Sequence, residues 1–258
     1  MEEPLPFLIS IPHGGEKIPP CVQDRVALAR ADILEDGDAF TCEIYDLEAH
    51  VSQVIQADVA RAIVDLNRDM AELPPEHADG VVKMITCYGK PVYHKGLFPD
   101  QVLVNRLIKE HYRPYHDRIR AAAGKDGIVI GLDCHSMAGQ APPTADRPGL
   151  RRPSVCLGNA HGETCDMLWL ETLAACFRDV FDLEEEDVTL NDPFSGGVIT
   201  RTYGANPIPW IQVEINRSLY LDSPWYDASN LTISRDRLKE LRALLRQVLR
   251  KFYREIAR

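Results

Sequence analysis

The first residue with evident chemistry is a histidine that follows an apolar run. His13 comes directly after the stretch 6–11 and Pro12, and Gly14, Gly15 and Glu16 follow it. Two glycines let the backbone turn sharply and approach a ligand closely. An imidazole with a carboxylate three residues later can bind one metal ion. A turn histidine bonded to the backbone explains the same segment, so His13 alone does not decide between these readings.

A second histidine occupies the same kind of position. The apolar run 127–133 ends at Asp133, and His135 follows two residues later. Side chains alternate along a strand, so Asp133 and His135 point to the same side. Asp133 could then accept the second ring N–H of a metal-bound imidazole. A core histidine paired with Asp133, without a metal, explains this segment equally well.

An acidic residue would complete such a site. A catalytic zinc takes three protein ligands and keeps a fourth position for water. Besides Glu16, the candidates are Asp36 and Asp38, which precede the predicted helix 39–56. Their ordinary role would be to cap that helix and to interact with its dipole.

Glu214 lies inside the otherwise apolar run 209–215. Burial of a carboxylate costs solvation free energy unless a partner compensates for it. Such positions are typical of a general base with a raised pKa. A buried ion pair between Glu214 and an arginine is the structural alternative.

Asn67 and Arg68 directly follow the apolar run 60–66. A guanidinium and an amide at the end of a strand can together hold a substrate carboxylate. An ordinary surface pair between an arginine and an aspartate is the alternative.

Alternating apolar runs and amphipathic segments predict an α/β fold. Strands are predicted at 6–11, 60–66, 81–87, 127–133, 154–159, 187–191 and 209–215, and helices at 39–56, 100–123, 163–180 and 231–257. In an open α/β sheet, ligands bind beyond the carboxyl ends of the strands, where all the residues named above would lie. The proline-rich stretch 141–153 predicts a long loop, of the kind that often forms a lid.

The composition favours one soluble domain that acts on small molecules. The 258 residues include 29 Lys+Arg and 39 Asp+Glu, a formal net charge of −10, which argues against nucleic acid as a partner. No apolar run reaches the roughly 18 residues of a membrane span, and the acidic start does not read as a signal peptide. Seven scattered cysteines without a CxxC pair indicate a reducing cytoplasm. We therefore predict a single cytoplasmic domain over residues 1–258, without a membrane partner and of undetermined oligomeric state.

Taken together, these motifs resemble those of the N-formylglutamate amidohydrolase family. The matching segments are SIPHGGEKIP (10–19), DAFT (38–41), VDLNRD (64–69), GLFP (96–99), RPYHDRI (113–119), LDCHSM (132–137), NDPFSGGVITRTYG (191–204) and QVEINRSLYLD (212–222). The order His, Asn-Arg, His, Glu is also similar to that of zinc carboxypeptidases and aspartoacylase-type deacylases. The resemblance implies a mixed, mostly parallel sheet of about eight strands flanked by helices, as in the carboxypeptidases (phosphorylase/hydrolase-like).

The resemblance also implies roles for individual residues. His13, Asp38 and His135 would hold one Zn²⁺, with Glu16 as the alternative third ligand on the carboxypeptidase pattern. Asn67 and Arg68 would hold the substrate's α-carboxylate, and Glu214 would be the general base and acid. Either of two further arginines, Arg201 and Arg217, could bind a second carboxylate or stabilise the tetrahedral oxyanion.

The implied reaction is hydrolysis of an anionic N-acyl amino acid, N-formyl-L-glutamate, to formate and L-glutamate by zinc-activated water. Two alternatives remain at this stage. The same site could hydrolyse another N-acyl amino acid or a small peptide. The glycine-rich turns could instead bind an anion on backbone N–H groups without catalysis.

Overall fold

The computed structural model describes residues 3–257. Met1, Glu2 and Arg258, which the single-domain prediction also covers, lie outside the described residues. A central sheet contains six strands: β1 (Leu5–Ile11), β2 (Val51–Gln56), β3 (Ile130–Met137), β4 (Val155–Gly158), β5 (Val188–Leu190) and β6 (Trp210–Asn216). A separate two-stranded ribbon consists of β7 (Tyr226–Asp227) and β8 (Thr232–Ile233).

The helices are α1 (Arg30–Asp36), α2 (Thr41–Ile44), α3 (Gln101–Leu107), α4 (Arg113–Ala123), α5 (Met167–Phe181), α6 (Val198–Tyr203) and α7 (Arg235–Ile256). A π-helical turn, Ile108–Tyr112, joins α3 to α4, so the predicted helix 100–123 exists with one wide turn inside it. Ser234 caps α7, as expected of a serine before a leucine-rich amphipathic stretch: its Oγ accepts a hydrogen bond from the backbone N of Arg237. None of the described helices is long and apolar enough to cross a bilayer.

The sheet order is β2-β1-β3-β6-β4-β5. Strands β2, β1, β3 and β6 run parallel to one another, and β4 pairs antiparallel with β6. The α/β prediction with a mostly parallel sheet flanked by helices is thus confirmed. The predicted count of about eight strands is wrong for the described part of the chain, since the central sheet has six.

Three predicted elements differ from the structure. The run 60–66 forms turns in which the backbone N–H groups of Ile63 and Val64 bond back to Ala60. The run 81–87 contains no named strand, although Val81 and Val82 are fully buried. The stretch 51–56, predicted as the end of a helix, is the strand β2. Apolar side chains fill the core from turns as well as from strands. The apolar character of the runs 60–66 and 81–87 therefore predicted strands where the chain forms buried turns.

Two apolar clusters cover the two faces of the sheet. One packs α5 and α7 on the sheet, with the ring centroids of Phe7 and Phe252 6.0 Å apart. The other lies beneath α3 and α4 and also contains the buried turn residues Val64 and Val81. On this second face a row of polar residues interrupts the apolar surface: Ser10, Asp133, His135, Gln212 and Glu214. These residues are buried and stand opposite one another in adjacent strands. The strand register therefore brings these polar side chains together at one end of the sheet.

Candidate functional site

Three side chains from separate segments bring a ligand atom to one place. His13 follows β1, Asp38 lies between α1 and α2, and His135 lies near the end of β3. The Nδ1 atoms of the two histidines are 3.2 Å apart. Asp38 Oδ2 lies 3.0 Å from Nδ1 of His135 and 3.4 Å from Nδ1 of His13. All three are buried, and together they form a group that could hold a metal ion.

The second ring nitrogen of each histidine faces its own carboxylate. Nε2 of His13 lies 2.8 Å from Asp65 Oδ1, and Nε2 of His135 lies 3.2 Å from Asp133 Oδ1. Because a carboxylate only accepts, the short contact places a ring proton of His13 on Nε2 and turns its Nδ1 toward Asp38 and His135. Burial alone would raise the pKa of Asp65, but the charges of His13 and Arg61 outweigh it and hold that pKa well below its ordinary value.

Asp38 is held by Arg217. Nη2 of Arg217 lies 3.1 Å from Asp38 Oδ1, so Oδ2 is left to face the histidines. The other donors of Arg217 are also engaged: Nε with Ser136 Oγ at 3.0 Å, Nη1 with the Glu35 carbonyl at 2.9 Å, and Nη2 with the Gly37 carbonyl at 2.5 Å. All three nitrogens of Arg217 thus already donate to protein acceptors, and the structure places this arginine in support of Asp38.

Glu214 reaches the same place from the neighbouring strand. It stands opposite His135 in the pairing of β3 with β6. Its side chain is buried and accepts a 2.8 Å hydrogen bond from Gln212 Nε2. Burial raises the pKa of Glu214, and the charge of Asp38 adds to the rise while His135 opposes it. A carboxylate with a raised pKa at this point has the properties of a general base.

These four side chains line a single cavity of about 440 Å³. Part of its wall comes from the predicted lid: Pro142, Thr144, Ala145 and Arg152 all line it. The described part of the stretch 141–153 contains no helix or named strand, as predicted. A cavity of this size takes a small molecule. Its wall also carries four guanidinium groups, which favour an anion: Arg61, Arg68, Arg152 and Arg217.

Asn67 lines the cavity but its amide is already bonded on both sides. Nδ2 donates to Asp133 Oδ2 at 3.3 Å, and Oδ1 accepts from the backbone N of Ile199 at 2.7 Å. Gly197 packs directly against this amide, and a Cβ added there would lie 2.4 Å from Asn67 Nδ2. Asn67 thus connects the segment 197–199 to β3 through hydrogen bonds.

Arg68 also lines the cavity and is held from behind by acids. Its Nη2 donates to Asp79 Oδ2 at 2.9 Å, and its Nε lies 3.5 Å from Asp65 Oδ2. Asp79 in turn pairs with Lys83, whose Nζ lies 2.8 Å from Asp79 Oδ1. The arginine is therefore fixed at the cavity wall.

Two predicted residues are not brought to the cluster. Glu16 pairs with Arg30, with Nε of the arginine 2.7 Å from Oε2 of the acid. Asp38, not Glu16, therefore supplies the carboxylate that meets the histidines. Arg201 is 46% exposed and donates to Ser195 Oγ and to the Gly196 carbonyl, and it is not among the residues that line the cavity.

Sequence reasoning missed Asp65 and Arg152. Asp65 belongs to the same VDLNRD segment as Asn67 and Arg68, but nothing in the spacing shows that its carboxylate reaches His13 across 52 residues. Arg152 lies in the proline-rich loop. The only feature of the sequence that could have pointed to it is its position just before the strand β4.

Comparison with known proteins identifies the family of this chain. The sequence profile of the N-formylglutamate amidohydrolase family matches residues 5–221. The N-formylglutamate deformylases of Pseudomonas putida and Pseudomonas aeruginosa are each 28% identical to this chain, over 254 and 255 residues, covering 95% of this chain and 91% of each relative. The crystal structure of N-formylglutamate amidohydrolase from Ralstonia eutropha JMP134 superposes with a TM-score of 0.79 at 21% identity. That match covers 99% of this chain and 95% of the other, which shows a shared fold.

The family profile spans most of the chain, and the relatives align along nearly all of it. The chain therefore belongs to the N-formylglutamate amidohydrolase family, a family of hydrolases that act on amide C–N bonds.

Proposed function

We propose that this protein hydrolyses N-formyl-L-glutamate to formate and L-glutamate, with a zinc ion held by His13, Asp38 and His135. The observation that carries the proposal is the convergence of two imidazole nitrogens and one carboxylate oxygen within 3.4 Å of one another. The names of the curated relatives support the choice of substrate.

The donor set fits zinc. Ligand atoms about 2.0–2.1 Å from a tetrahedral zinc ion lie about 3.3 Å from one another. The observed separations are 3.0, 3.2 and 3.4 Å. The Nδ1 of His13 and the Oδ2 of Asp38 face each other 3.4 Å apart, an arrangement that favours a cation beside them, either a ring proton or a metal. The spacing of all three atoms favours the metal, and three protein ligands leave a fourth position open, as in catalytic zinc sites.

A zinc ion bound here would lower the pKa of a water molecule and polarise the formyl carbonyl. Glu214 accepts a proton from the attacking water as the C–O bond forms. It then delivers that proton to the amine nitrogen of glutamate as the C–N bond breaks. Its burial and raised pKa suit both halves of this transfer.

Arg68 positions the substrate. We propose that it binds the α-carboxylate, because it lines the cavity and its side chain is fixed by Asp79. Holding the carboxylate sets the formyl group at a fixed distance from the reacting groups. Asn67 stabilises the cavity wall next to Arg68 through its hydrogen bond to Asp133. Arg201 has no part in the proposed reaction.

We place the reaction in the cytoplasm, on the ground that all seven cysteines are unpaired. The implied partner is the small-molecule substrate itself.

Formate release from N-formyl-L-glutamate, measured together with the metal content of the purified protein, tests the proposal. We expect turnover with about one zinc per chain, loss of both after chelation, and recovery of both on adding zinc. His13→Ala should lose metal and turnover, whereas His94→Ala, a matched change at an exposed histidine, should keep both. A protein that binds no zinc and stays inactive with added zinc contradicts the proposal and favours a non-catalytic anion site.

A further inference from the structure

We propose that Arg152 binds the side-chain carboxylate of the substrate and so selects N-formyl amino acids that carry a second negative charge. This inference rests on the proposed function. It concerns a residue of the 141–153 loop that belongs to none of the motifs which identified the family.

The first observation is how the arginines of the cavity are engaged. Arg61 donates to Asp65 at 3.0 Å, Arg68 donates to Asp79 at 2.9 Å, and Arg217 donates to Asp38 at 3.1 Å. Each of these cations thus has a carboxylate partner within the protein, and among the three only Arg68 keeps a buried Nε without a hydrogen-bond partner.

Arg152 differs from them. Within residues 3–257, no hydrogen bond or ion pair is formed by its side chain, and its Nε is buried without a partner. Burial lowers the pKa of Arg152, and the charge of Glu214 only partly opposes this. A buried donor without an acceptor costs free energy that a bound anion would recover. The cavity therefore contains a guanidinium that lacks an anion.

The second observation is that Arg152 is held rigidly. Its backbone N donates to the Gly139 carbonyl at 3.0 Å, and its own carbonyl accepts a hydrogen bond of 3.2 Å from Asn216 Nδ2. The preceding residue, Arg151, forms a backbone bridge with Gln140. The base of the loop thus fixes the point from which the side chain starts, as a receptor group requires.

The third observation concerns the guanidinium itself. It stacks on the ring of Phe194, with Cζ 4.8 Å from the ring centroid. A guanidinium stacked by its face keeps its edge N–H groups available, and those groups bind a carboxylate through two parallel hydrogen bonds. Both Arg152 and Phe194 line the cavity that contains Glu214.

The substrate supplies the matching anion. N-formyl-L-glutamate has two carboxylates, and Arg68 is proposed to take one of them. Arg217 is engaged with Asp38, and Arg201 lies outside the cavity lining. Arg152 is left as the cation for the second carboxylate.

The test compares two substrates that differ only in that charge, N-formyl-L-glutamate and N-formyl-L-glutamine. For Arg152→Gln we expect kcat/KM for the glutamate substrate to fall about 100-fold, mainly through KM, while the value for the glutamine substrate changes less than about threefold. Turnover of the glutamine substrate also shows that the variant is folded. Arg152→Lys should recover part of the loss, because it restores the charge without the planar fork. Arg151→Gln, the same change at the exposed neighbouring position, should behave as wild type.

Equal losses on both substrates would overturn the proposal and place Arg152 at the reaction centre instead. No loss on either substrate would also overturn it. If the wild type hydrolyses neither compound, the proposed function fails, and calorimetric binding of L-glutamate and L-glutamine then decides on Arg152 separately. A selective loss of L-glutamate binding in Arg152→Gln supports the carboxylate site, and unchanged binding refutes it.

Discussion

The Nδ1 atoms of His13 and His135 lie 3.2 Å apart, although 122 residues separate the two histidines along the chain. The parallel pairing of β1 with β3, in which Ser10 stands opposite Asp133, brings the two strand ends together. Each imidazole turns its Nε2 toward its own carboxylate, Asp65 or Asp133. Residues outside the donor cluster therefore orient the rings: Asp65 for His13, and for His135 both Asp133 and the Asn67 amide, whose Nδ2 lies 3.1 Å from Nε2.

Asp65→Asn should weaken metal binding about 10- to 100-fold, as removal of a carboxylate partner of a metal-bound histidine generally does. The substitution removes the charge behind His13 and leaves Arg61, which donates to Asp65 at 3.0 Å, without its anion. Competition with a chelator of known zinc affinity measures the change. Glu16→Gln is the control, because Glu16 pairs with the exposed Arg30. Equal weakening in both variants would contradict the assignment of Asp65 and revive Glu16 as a ligand.

Glu214→Gln should keep the metal and lower kcat about 10²- to 10⁴-fold, because glutamine cannot accept the proton of the attacking water. Glu171→Gln, at an exposed position of α5, should leave kcat unchanged. A Glu214→Gln variant with full activity would show that another group is the base.

The pH profile should report the same carboxylate. Burial raises the pKa of Glu214 above its ordinary value of 4.5. The base must be ionised to act, so kcat/KM should fall as the pH drops through this raised pKa. The acid limb should therefore lie above pH 4.5 and be absent from the residual activity of Glu214→Gln. An acid limb retained in that variant would belong to a different group.

Much of the fold could be predicted because its strands carry strong local signals. The runs that contain β1, β3 and β6 are mostly apolar, and the leucines of α7 repeat with helical periodicity. The missing information concerned pairing. The runs 60–66 and 81–87 are as apolar as real strands, but their backbones turn, and only the three-dimensional context distinguishes a buried turn from a buried strand.

The residues of the site also fall into those that the sequence could predict and those that it could not. His13, His135 and Glu214 stand out in the sequence because a polar side chain at the end of an apolar run requires an explanation. The roles of the arginines could not be predicted, because a guanidinium at a strand end is equally suited to a substrate or to a protein acceptor. The three-dimensional contacts assign Arg217 to Asp38 and keep Arg201 out of the cavity lining. They also leave the side chain of Arg152, which has no motif around it, without a hydrogen-bond or ion-pair partner within residues 3–257.

Arg217→Lys should reduce zinc affinity about 10-fold and leave KM nearly unchanged when zinc is saturating. A lysine supplies one ammonium in place of the fork that bonds Asp38, Ser136 and the Gly37 carbonyl. Zinc titration of the apo-protein, followed by kinetics at saturating zinc, separates the two effects. A raised KM at full zinc occupancy would return Arg217 to the substrate-binding role predicted from sequence.

The pair of Lys83 and Asp36 should dominate the electrostatic stability of this region. Both side chains are fully buried, and Lys83 Nζ lies 2.9 Å from each carboxylate oxygen of Asp36. Asp36→Asn should lower the free energy of unfolding at pH 7 by about 3–5 kcal/mol, because it leaves a buried ammonium short of its counter-charge. Asp117→Asn, in an exposed pair with Arg120, should cost about 1 kcal/mol or less. Urea denaturation of the two variants and the wild type makes the comparison.

The cost of Asp36→Asn should also depend on pH. Burial would raise the pKa of Asp36, but the charges of Lys83 and Arg61 outweigh it and hold that pKa below its ordinary value of 3.8. As the pH falls, protons therefore bind the unfolded chain before the folded one, so the stability that this carboxylate contributes is complete above the ordinary pKa and is lost below it. The difference in unfolding free energy between wild type and Asp36→Asn should be constant from about pH 7 to pH 5 and should shrink below about pH 4. A difference that grows on acidification would mean that the folded state raises the pKa of Asp36, and that the pair with Lys83 does not outweigh its burial.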